Sequence, residues 1–184
     1  MGKIQLFMNV SLDGYFEGPN HDTSWFKEND DEEDAWALEQ LKEPATLLFG
    51  HRTYELMKSF WPTQQAKEAM PEIAKFMNEM PKIVVAHQSF EPGWNNATVI
   101  SDNIVGKVRK LREQPDRNIV ILVSNMLCVS LMREGLIDEF EIMVNPVALG
   151  EGTPLFKGLP HAAHLKLLKT REFKSGKVLL TYDH

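Results

Sequence analysis

The residues best suited to chemistry stand where predicted strands end. Residues 3–10 are apolar and β-branched, which favours a buried strand, and Ser11, Asp13 and Tyr15 follow it directly. Hydroxyl and carboxylate groups at this point would lie at the carboxyl edge, where open α/β sheets place their ligands. A capped turn is an equally good interpretation of these residues alone, because Asp-Gly is a common turn pair.

A second group follows the predicted strand at residues 46–49. A strand, a tight turn and a helix start form an anion site, because the first backbone N–H groups of a helix have no internal partner. Gly50 permits close backbone approach and Thr53 can cap the helix, while His51 and Arg52 add potentially cationic groups. The pattern suits a phosphate-bearing cofactor, although an ordinary capped helix fits it equally well.

Other site chemistry has weak support in the sequence. His161 and His164 stand three apart without a third ligand nearby, so we expect surface histidines and no metal site. The acidic run at residues 28–34 lacks the spacing of a calcium loop and is typical of a solvated helix start. Residues 150–152 lack the third glycine of a dinucleotide fingerprint, so we expect a turn there. There is no nucleophile elbow, P-loop or H-E-x-x-H motif.

Composition narrows the class of protein. A chain of 184 residues with 43% hydrophobic content can bury one core, so we expect one domain over residues 1–184. A net charge of −6 makes nucleic acid and anionic membrane poor partners. No apolar run reaches the roughly 20 residues of a bilayer span, which favours the cytoplasm. Cys128 stands among apolar neighbours, so we expect a buried structural thiol.

The predicted elements alternate between strand and helix and end in a hairpin. This order implies a mostly parallel sheet, covered on both faces, with an antiparallel edge. The run at residues 136–144 could present an apolar edge for self-association. The strands are predicted at residues 3–10, 46–49, 82–86, 118–123 and 137–144. The helices are predicted at residues 35–41, from residue 54 onward, at 64–80 with an interruption at Pro71, at 103–112 and at 126–134. The hairpin is predicted at residues 164–173 and 177–182.

Five motifs in order carry a family resemblance. They are S-L-D-G at residues 11–14, G-x-R-T-Y-E at 50–55, W-P at 61–62, G-L-I-D-E at 135–139 and P-V-x-L-G-x-G-x-x-L-F at 146–156. Each is weak alone, but together they resemble the dihydrofolate-reductase-like reductases, including the C-terminal reductase domain of riboflavin biosynthesis. The resemblance implies a three-layer α/β/α fold around a mixed, mainly parallel sheet.

The resemblance also implies an activity and a set of site residues. Members of the family transfer hydride from NADPH to a small pterin-like or pyrimidine-like substrate, and they often pair, so we expect a homodimer. Asp13 matches the acidic residue of the substrate pocket, where it could hydrogen-bond the ligand or help to deliver a proton. Candidate substrate contacts are Ser11, Tyr15, Trp25, Tyr54 and Met57. Candidate cofactor contacts are Gly50, His51, Arg52, Thr53, His87, Gln88, Ser89, Val123, Ser124, Asn125, Met126 and Leu127.

Two departures from the family pattern bear on the cofactor. His51 stands where the family has an arginine, which leaves the choice between NADPH and NADH open. Ser124 and Asn125 replace a glycine-rich turn, and a positive φ at either position would add strain. A non-catalytic binding or regulatory protein on the same scaffold is therefore the alternative to a reductase, and a purely structural subunit is a third possibility.

Overall fold

The computed structural model describes residues 1–26, 31–114 and 118–184. Two short 3₁₀ turns, Pro19–His21 and Ser24–Phe26, precede the first α-helix. The strands are β1 (Ile4–Ser11), β2 (Tyr15–Glu17), β3 (Ala45–Gly50), β4 (Lys82–Val85), β5 (Ala97–Ile100), β6 (Asn118–Leu122), β7 (Glu139–Asn145), β8 (Thr153–Pro154), β9 (Lys166–Glu172) and β10 (Val178–Asp183). The helices are α1 (Asp31–Leu41), α2 (His51–Phe60), α3 (Gln64–Ala69), α4 (Pro71–Glu79), α5 (Ile104–Arg112) and α6 (Asn125–Arg133).

Eight strands form the main sheet in the order β5-β4-β3-β6-β1-β7-β10-β9. The strands from β5 to β7 in that order are parallel, whereas β10 pairs antiparallel with both β7 and β9. The predicted mainly parallel sheet with an antiparallel hairpin is therefore confirmed. The carboxyl ends of the parallel strands share one edge of the sheet, as any ligand site of this fold class requires.

One face of the sheet carries a continuous hydrophobic core. The alternation of β1 sends Ile4, Leu6, Met8 and Val10 to this face, where each is at most 5% exposed. Helices α5 and α6 cover them with side chains such as Val108 and Leu131. Cys128 lies in the same core and is fully buried, as predicted, and burial raises the pKa of its thiol to about 12.

The opposite face is covered by two separate clusters. Helices α2 and α4 pack over β3 and β4, while α1 packs through Trp36 over β7 and the β9–β10 hairpin. Between the two clusters lie Phe7 and Asn9 of β1 and Leu122 of β6, which are only half-buried although their strands are central. We call these three residues the central strip.

Several predicted elements differ in detail from the structure. The 64–80 segment forms two helices, because Pro71 starts a new one at its first position. Strands β2, β5 and β8 have no counterpart among the predicted strands. The run at 136–144 is not an apolar edge, because β7 lies inside the sheet between β1 and β10 and the edge strand is β9. Residues 28–30 of the acidic run lie outside the described residues. No helix within the described ranges is long and apolar enough to cross a bilayer.

Candidate functional site

The parallel strands bring most of the predicted site residues to one edge of the sheet. Ser11 ends β1, Gly50 ends β3 and Val123 directly follows β6. The exposed residues His87, Gln88 and Ser89 follow β4, which lies next to β3. Because β3, β6 and β1 are neighbours in the sheet, the turns that follow them form one continuous surface.

The turns at Gly50 and Ser124 are in direct contact. A Cβ atom built on Gly50 would lie 2.7 Å from Ser124 Oγ, so only glycine fits at position 50 while Ser124 keeps this side-chain position. Helices α2 and α6 begin immediately after these residues, and neither helix has a side-chain hydrogen bond at its N-cap. Two uncapped helix N-termini therefore converge here, and each favours negative charge.

The left-handed residue of the second turn is Val123. Its φ is +46°, whereas Ser124 is extended with φ −143°, and Asn125 is already helical. The strain considered for Ser124 and Asn125 is therefore located one residue earlier. Thr53 Oγ1 donates a hydrogen bond to the carbonyl oxygen of Val123, so this side chain joins the two turns and does not cap its own helix.

Residues 125–127 contribute differently from one another. The Asn125 side chain donates to the carbonyl oxygen of Leu155, which fastens the segment after β8 to the start of α6. Met126 is 71% exposed, whereas Leu127 is 5% exposed and packs into the core under α6. Because the Leu127 side chain is buried, Leu127 could contact a cofactor only through its backbone N–H group.

Arg52 is held by Glu17, a residue that the sequence prediction missed. Arg52 Nη2 lies 2.9 Å from Glu17 Oε2, and Glu17 is only 4% exposed. Thr153 Oγ1 and His21 Nδ1 each lie 2.9 Å from Glu17 Oε1. Burial raises the pKa of Glu17, but the hydrogen bonds from His21, Thr153 and Arg52 outweigh it and lower the pKa below its usual value. Glu17 is therefore ionised, and it orients the Arg52 guanidinium, whose side chain stays 59% exposed.

Asp13 joins two loops. Its carboxylate accepts hydrogen bonds from Ser11 Oγ at 2.7 Å, from the Gly150 backbone N at 2.7 Å and from the Leu149 backbone N at 3.1 Å. The hydrogen bond from Ser11, followed by those from Gly150 and Leu149, lowers the pKa of Asp13 to about 2. At neutral pH this carboxylate can accept a further hydrogen bond, but it has no proton to donate.

The 150–152 loop packs against the turn after β1 and against the short strand β2. Gly152 has φ +153°, and a Cβ atom there would lie 2.3 Å from the carbonyl oxygen of Glu17. No side chain fits at that distance, so Gly152 is required by the close approach of the two backbones.

The residues predicted as substrate contacts do not form one surface. Tyr54 has no exposed surface and donates its hydroxyl to the carbonyl oxygen of Pro92, which makes it a core residue of the α2–α4 cluster. Met57 packs against the same cluster and accepts a hydrogen bond from Trp61 Nε1 at 3.3 Å. Tyr15 and Trp25 are half-buried, and Ser11, 1% exposed, uses its hydroxyl on Asp13 and the Tyr15 backbone N.

The central strip supplies surface that the sequence prediction missed. Phe7 and Leu122 are register partners across β1 and β6, and Asn9 lies two residues further toward the carboxyl edge on the same face as Phe7. An asparagine within an apolar central strand, on the face that it shares with Phe7, is the signal that could have identified this surface. The arrangement offers an apolar floor for a flat ring beside a polar edge that suits phosphates.

Two proteins of Bacillus subtilis are similar to this chain in sequence. The uncharacterized protein YyaP of Bacillus subtilis (strain 168) is 32% identical over 180 residues, which cover 98% of this chain and 94% of YyaP. The uncharacterized protein YwjB of the same organism is 28% identical over 171 residues, covering 93% and 92% of the two chains.

Solved structures at lower identity share the fold. A Shewanella sp. PV-4 protein named for riboflavin biosynthesis superposes with a TM-score of 0.74 at 21% identity, with 98% of each chain covered. The dihydrofolate reductase of Enterococcus faecalis, solved with NADP(H), gives a TM-score of 0.66 at 12% identity, covering 99% of this chain and 96% of that one.

A longer protein with two named activities also shares the fold. The diaminohydroxyphosphoribosylaminopyrimidine deaminase/5-amino-6-(5-phosphoribosylamino)uracil reductase of Thermotoga maritima gives a TM-score of 0.69 at 14% identity. The match covers 99% of this chain and 56% of that protein. The family model of the RibD C-terminal domain matches residues 2–179. The fold, the order of the motifs and this match together establish that the chain belongs to the RibD C-terminal domain family.

Proposed function

We propose that this protein is an NADPH-dependent reductase of a small pterin-like or pyrimidine-like heterocycle. The observation that carries the proposal is the contact between the uncapped starts of α2 and α6, at Gly50 and Ser124, beside the half-buried central strip. The pairing habit of the family supports a homodimer, which sedimentation analysis would measure.

The residues present fit a dinucleotide. Backbone N–H groups in the first turns of α2 and α6 have no side-chain acceptor at either N-cap, so they would hold the diphosphate. Arg52, kept in place by Glu17, and His51 would face the remaining phosphate charge. His87, Gln88 and Ser89 are exposed past β4 and would contact the adenosine end. When bound, NADPH supplies the hydride.

The chain itself would supply orientation and polarity on the substrate side. Phe7 and Leu122 would support a flat ring, and the ionised Asp13 would accept a hydrogen bond from a ring N–H or a hydroxyl group. A carboxyl with a pKa of about 2 is not a proton donor at neutral pH, so Asp13 is assigned to binding and orientation.

One observation favours a second candidate, a non-catalytic ligand-binding protein. Ser124 Oγ occupies the space over Gly50 that a glycine at position 124 would leave open to a diphosphate. If this side chain excludes the dinucleotide, the pocket would remain while hydride transfer would be lost.

Cofactor binding distinguishes the two candidates. A reductase must be stabilised when it binds NADPH, by about 2.7 kcal/mol at a hundredfold excess over Kd. We expect a raised melting temperature, quenched tryptophan emission and oxidation of NADPH with a pterin or pyrimidine acceptor. The variants Ser124→Gly and, as a matched control on the exposed side of α6, Ser130→Gly complete the experiment. Absence of any NADPH effect on the wild type, with binding gained only by Ser124→Gly, would establish the non-catalytic candidate.

A further inference from the structure

Asn9 is a polar residue at the centre of the sheet. It lies on β1, which has β6 on one side and β7 on the other, and it shares the central strip with Phe7 and Leu122. Its half-buried side chain is surrounded by strands on both sides, so no sequence-local turn or cap explains a carboxamide at this position. The chemistry of this amide therefore depends on which of its two ends is engaged by the protein.

Asn145 determines the orientation of that amide. It ends β7 in register with Ser11, and it is 1% exposed. Its Nδ2 atom lies 3.1 Å from Asn9 Oδ1, 3.2 Å from the Val10 carbonyl oxygen and 3.1 Å from the Met143 carbonyl oxygen. The two backbone carbonyl oxygens require a nitrogen at this position, because an oxygen would face both of them, and Asn9 must therefore present its oxygen to this nitrogen.

The engaged end of Asn9 is consequently its oxygen. Asn145 donates to Asn9 Oδ1, so Asn9 Nδ2 is the other arm of the planar carboxamide, and within the described ranges no residue accepts a hydrogen bond from it. Asn145 Oδ1 is buried and also lacks a partner within those ranges, so Asn145 keeps this orientation although its own acceptor stays unsatisfied. The pair thus presents a fixed N–H donor beside an apolar floor.

We propose that Asn9 is a specificity-determining residue that donates a hydrogen bond from Nδ2 to a carbonyl oxygen of the bound heterocycle. Asn145 is the positioning residue that fixes the amide in this orientation. The location of the ring rests on the proposed function, but the inference concerns recognition and is tested by binding alone. It selects oxo-heterocycles over the corresponding amino-heterocycles, because an amino group in the same place would set donor against donor.

Matched ligand pairs test this selection directly. Folic acid carries an oxo group beside a protonated ring nitrogen, where aminopterin carries an amino group beside an unprotonated one. Uridine and cytidine differ in the same way. We expect the wild type to prefer the oxo member of at least one pair by about tenfold, the ratio that one hydrogen bond of ordinary strength supplies. Dissociation constants are measured by calorimetry, with and without NADPH.

Variants of the two asparagines assign the effect. Asn9→Asp keeps the acceptor for Asn145 and replaces the donor by an acceptor, so it should reverse the preference, and Asn9→Ala should abolish it. Asn145→Ala frees Asn9 to rotate and should reduce the preference while the Asn9 amide is still present. Asn95→Asp makes the same chemical change at an exposed position before β5 and should have no effect. Melting temperatures confirm folding, and Asn9→Ser replaces any variant at position 9 that does not fold.

The outcomes separate this inference from the reductase proposal. Equal affinities for both members of each pair, a preference unchanged by Asn9→Asp, or no measurable binding of any of the four compounds would overturn the role of Asn9. NADPH binding in that case would leave the reductase proposal intact. An oxo preference that depends on Asn9, in a protein that does not bind NADPH, would support this inference and overturn the reductase proposal.

Discussion

Thr53 Oγ1 donates a hydrogen bond to the carbonyl oxygen of Val123, and this contact joins the first turn of α2 to the residue before α6. Val123 has φ +46°, a left-handed conformation that costs an L-residue roughly 1–2 kcal/mol and is especially unfavourable for a β-branched side chain. The turn is therefore strained at a position where the surrounding contacts determine the backbone.

The strain at Val123 predicts an inverted order of stability between two small residues. Glycine normally destabilises relative to alanine, but at a left-handed position it relieves strain. We expect Val123→Gly to be more stable than Val123→Ala by about 1 kcal/mol, because both lose the two methyl groups of the valine and only glycine tolerates this φ. Urea denaturation measures the difference, and an alanine variant as stable as the glycine variant would show that the residue is not strained.

The Asp13 carboxylate predicts a pH-dependent loop contact. Its folded pKa of about 2 lies below the usual 3.8, so the contribution to stability is fully present above pH 4 and is lost as the pH falls through 2. We expect the amides of Leu149 and Gly150 to be protected from hydrogen exchange in the wild type and to lose protection in Asp13→Ala.

A kinetic experiment tests whether Asp13 binds the substrate or supplies a proton to it. If Asp13 supplied the proton, kcat/KM would fall with the ionisation of a group near neutrality, and Asp13→Asn would remove that limb of the pH profile. We expect Asp13→Asn to raise KM without removing any ionisation between pH 6 and 9. Asp102→Asn, which changes an exposed carboxylate bonded to Lys107, is the matched control.

Glu141 predicts a loss of stability as the pH rises. Burial within the sheet, with repulsion from Glu139, raises its pKa to about 7 from 4.5. The unfolded chain loses this proton near pH 4.5 while the folded chain retains it, so the free energy of unfolding falls between pH 4.5 and 7. We expect Glu141→Gln to stabilise the protein at pH 8 by about 2–3 kcal/mol and to have little effect at pH 4.

The matched control for Glu141→Gln is the same substitution at Glu139, whose charge repels Glu141. Glu139→Gln should raise stability at pH 8 by a smaller amount, because it removes only the repulsion and leaves the buried carboxyl in place. Urea denaturation at both pH values measures the two variants. A Glu141→Gln effect of equal size at pH 4 and pH 8 would contradict the raised pKa.

The ion pair between Glu33 and Lys177 predicts strong coupling between α1 and the hairpin. Glu33 Oε2 lies 2.6 Å from Lys177 Nζ, and both side chains are 6% exposed. Removing the lysine leaves the buried Glu33 carboxylate without this ion pair, so Lys177→Met should cost about 3 kcal/mol. The double variant Glu33→Gln/Lys177→Met should lose clearly less than the sum of the two single variants. Additive losses in denaturation experiments would mean that the two groups do not interact.

The fold was predictable where the local pattern was strong. Strands β1, β3, β4, β6 and β7 are apolar runs closed by turn residues, so their pairing as parallel strands followed from the helices between them. Strands β2 and β8 contain three and two residues, and they exist only because they pair with each other across most of the chain. No local signal predicts such short strands.

The sequence predicted the edge of the sheet at which the site lies, but it did not predict which side chains face the site. The turns at Gly50 and Val123 follow strands, so parallel pairing brought both to one edge. The inward direction of Tyr54 depends on the phase of α2, which ten residues of mixed character do not fix. Glu17 is surrounded by His21, Arg52 and Thr153, and contacts between residues so far apart in sequence leave no spacing to recognise.

Helix α1 forms one wall of the central strip, where Trp36 lies 5.3 Å from Phe7 between ring centroids, and it is also attached to the β9–β10 hairpin. Trp36 packs edge-on against Phe173 at 6.1 Å between ring centroids, and Glu33 is bonded to Ser175 and Lys177. Helix α1 and the hairpin should therefore unfold locally as one cooperative unit, and the backbone amides of both should exchange hydrogen at matched rates. A destabilising change in the hairpin would then loosen the entrance to the strip from a distance, without touching a single residue that lines it.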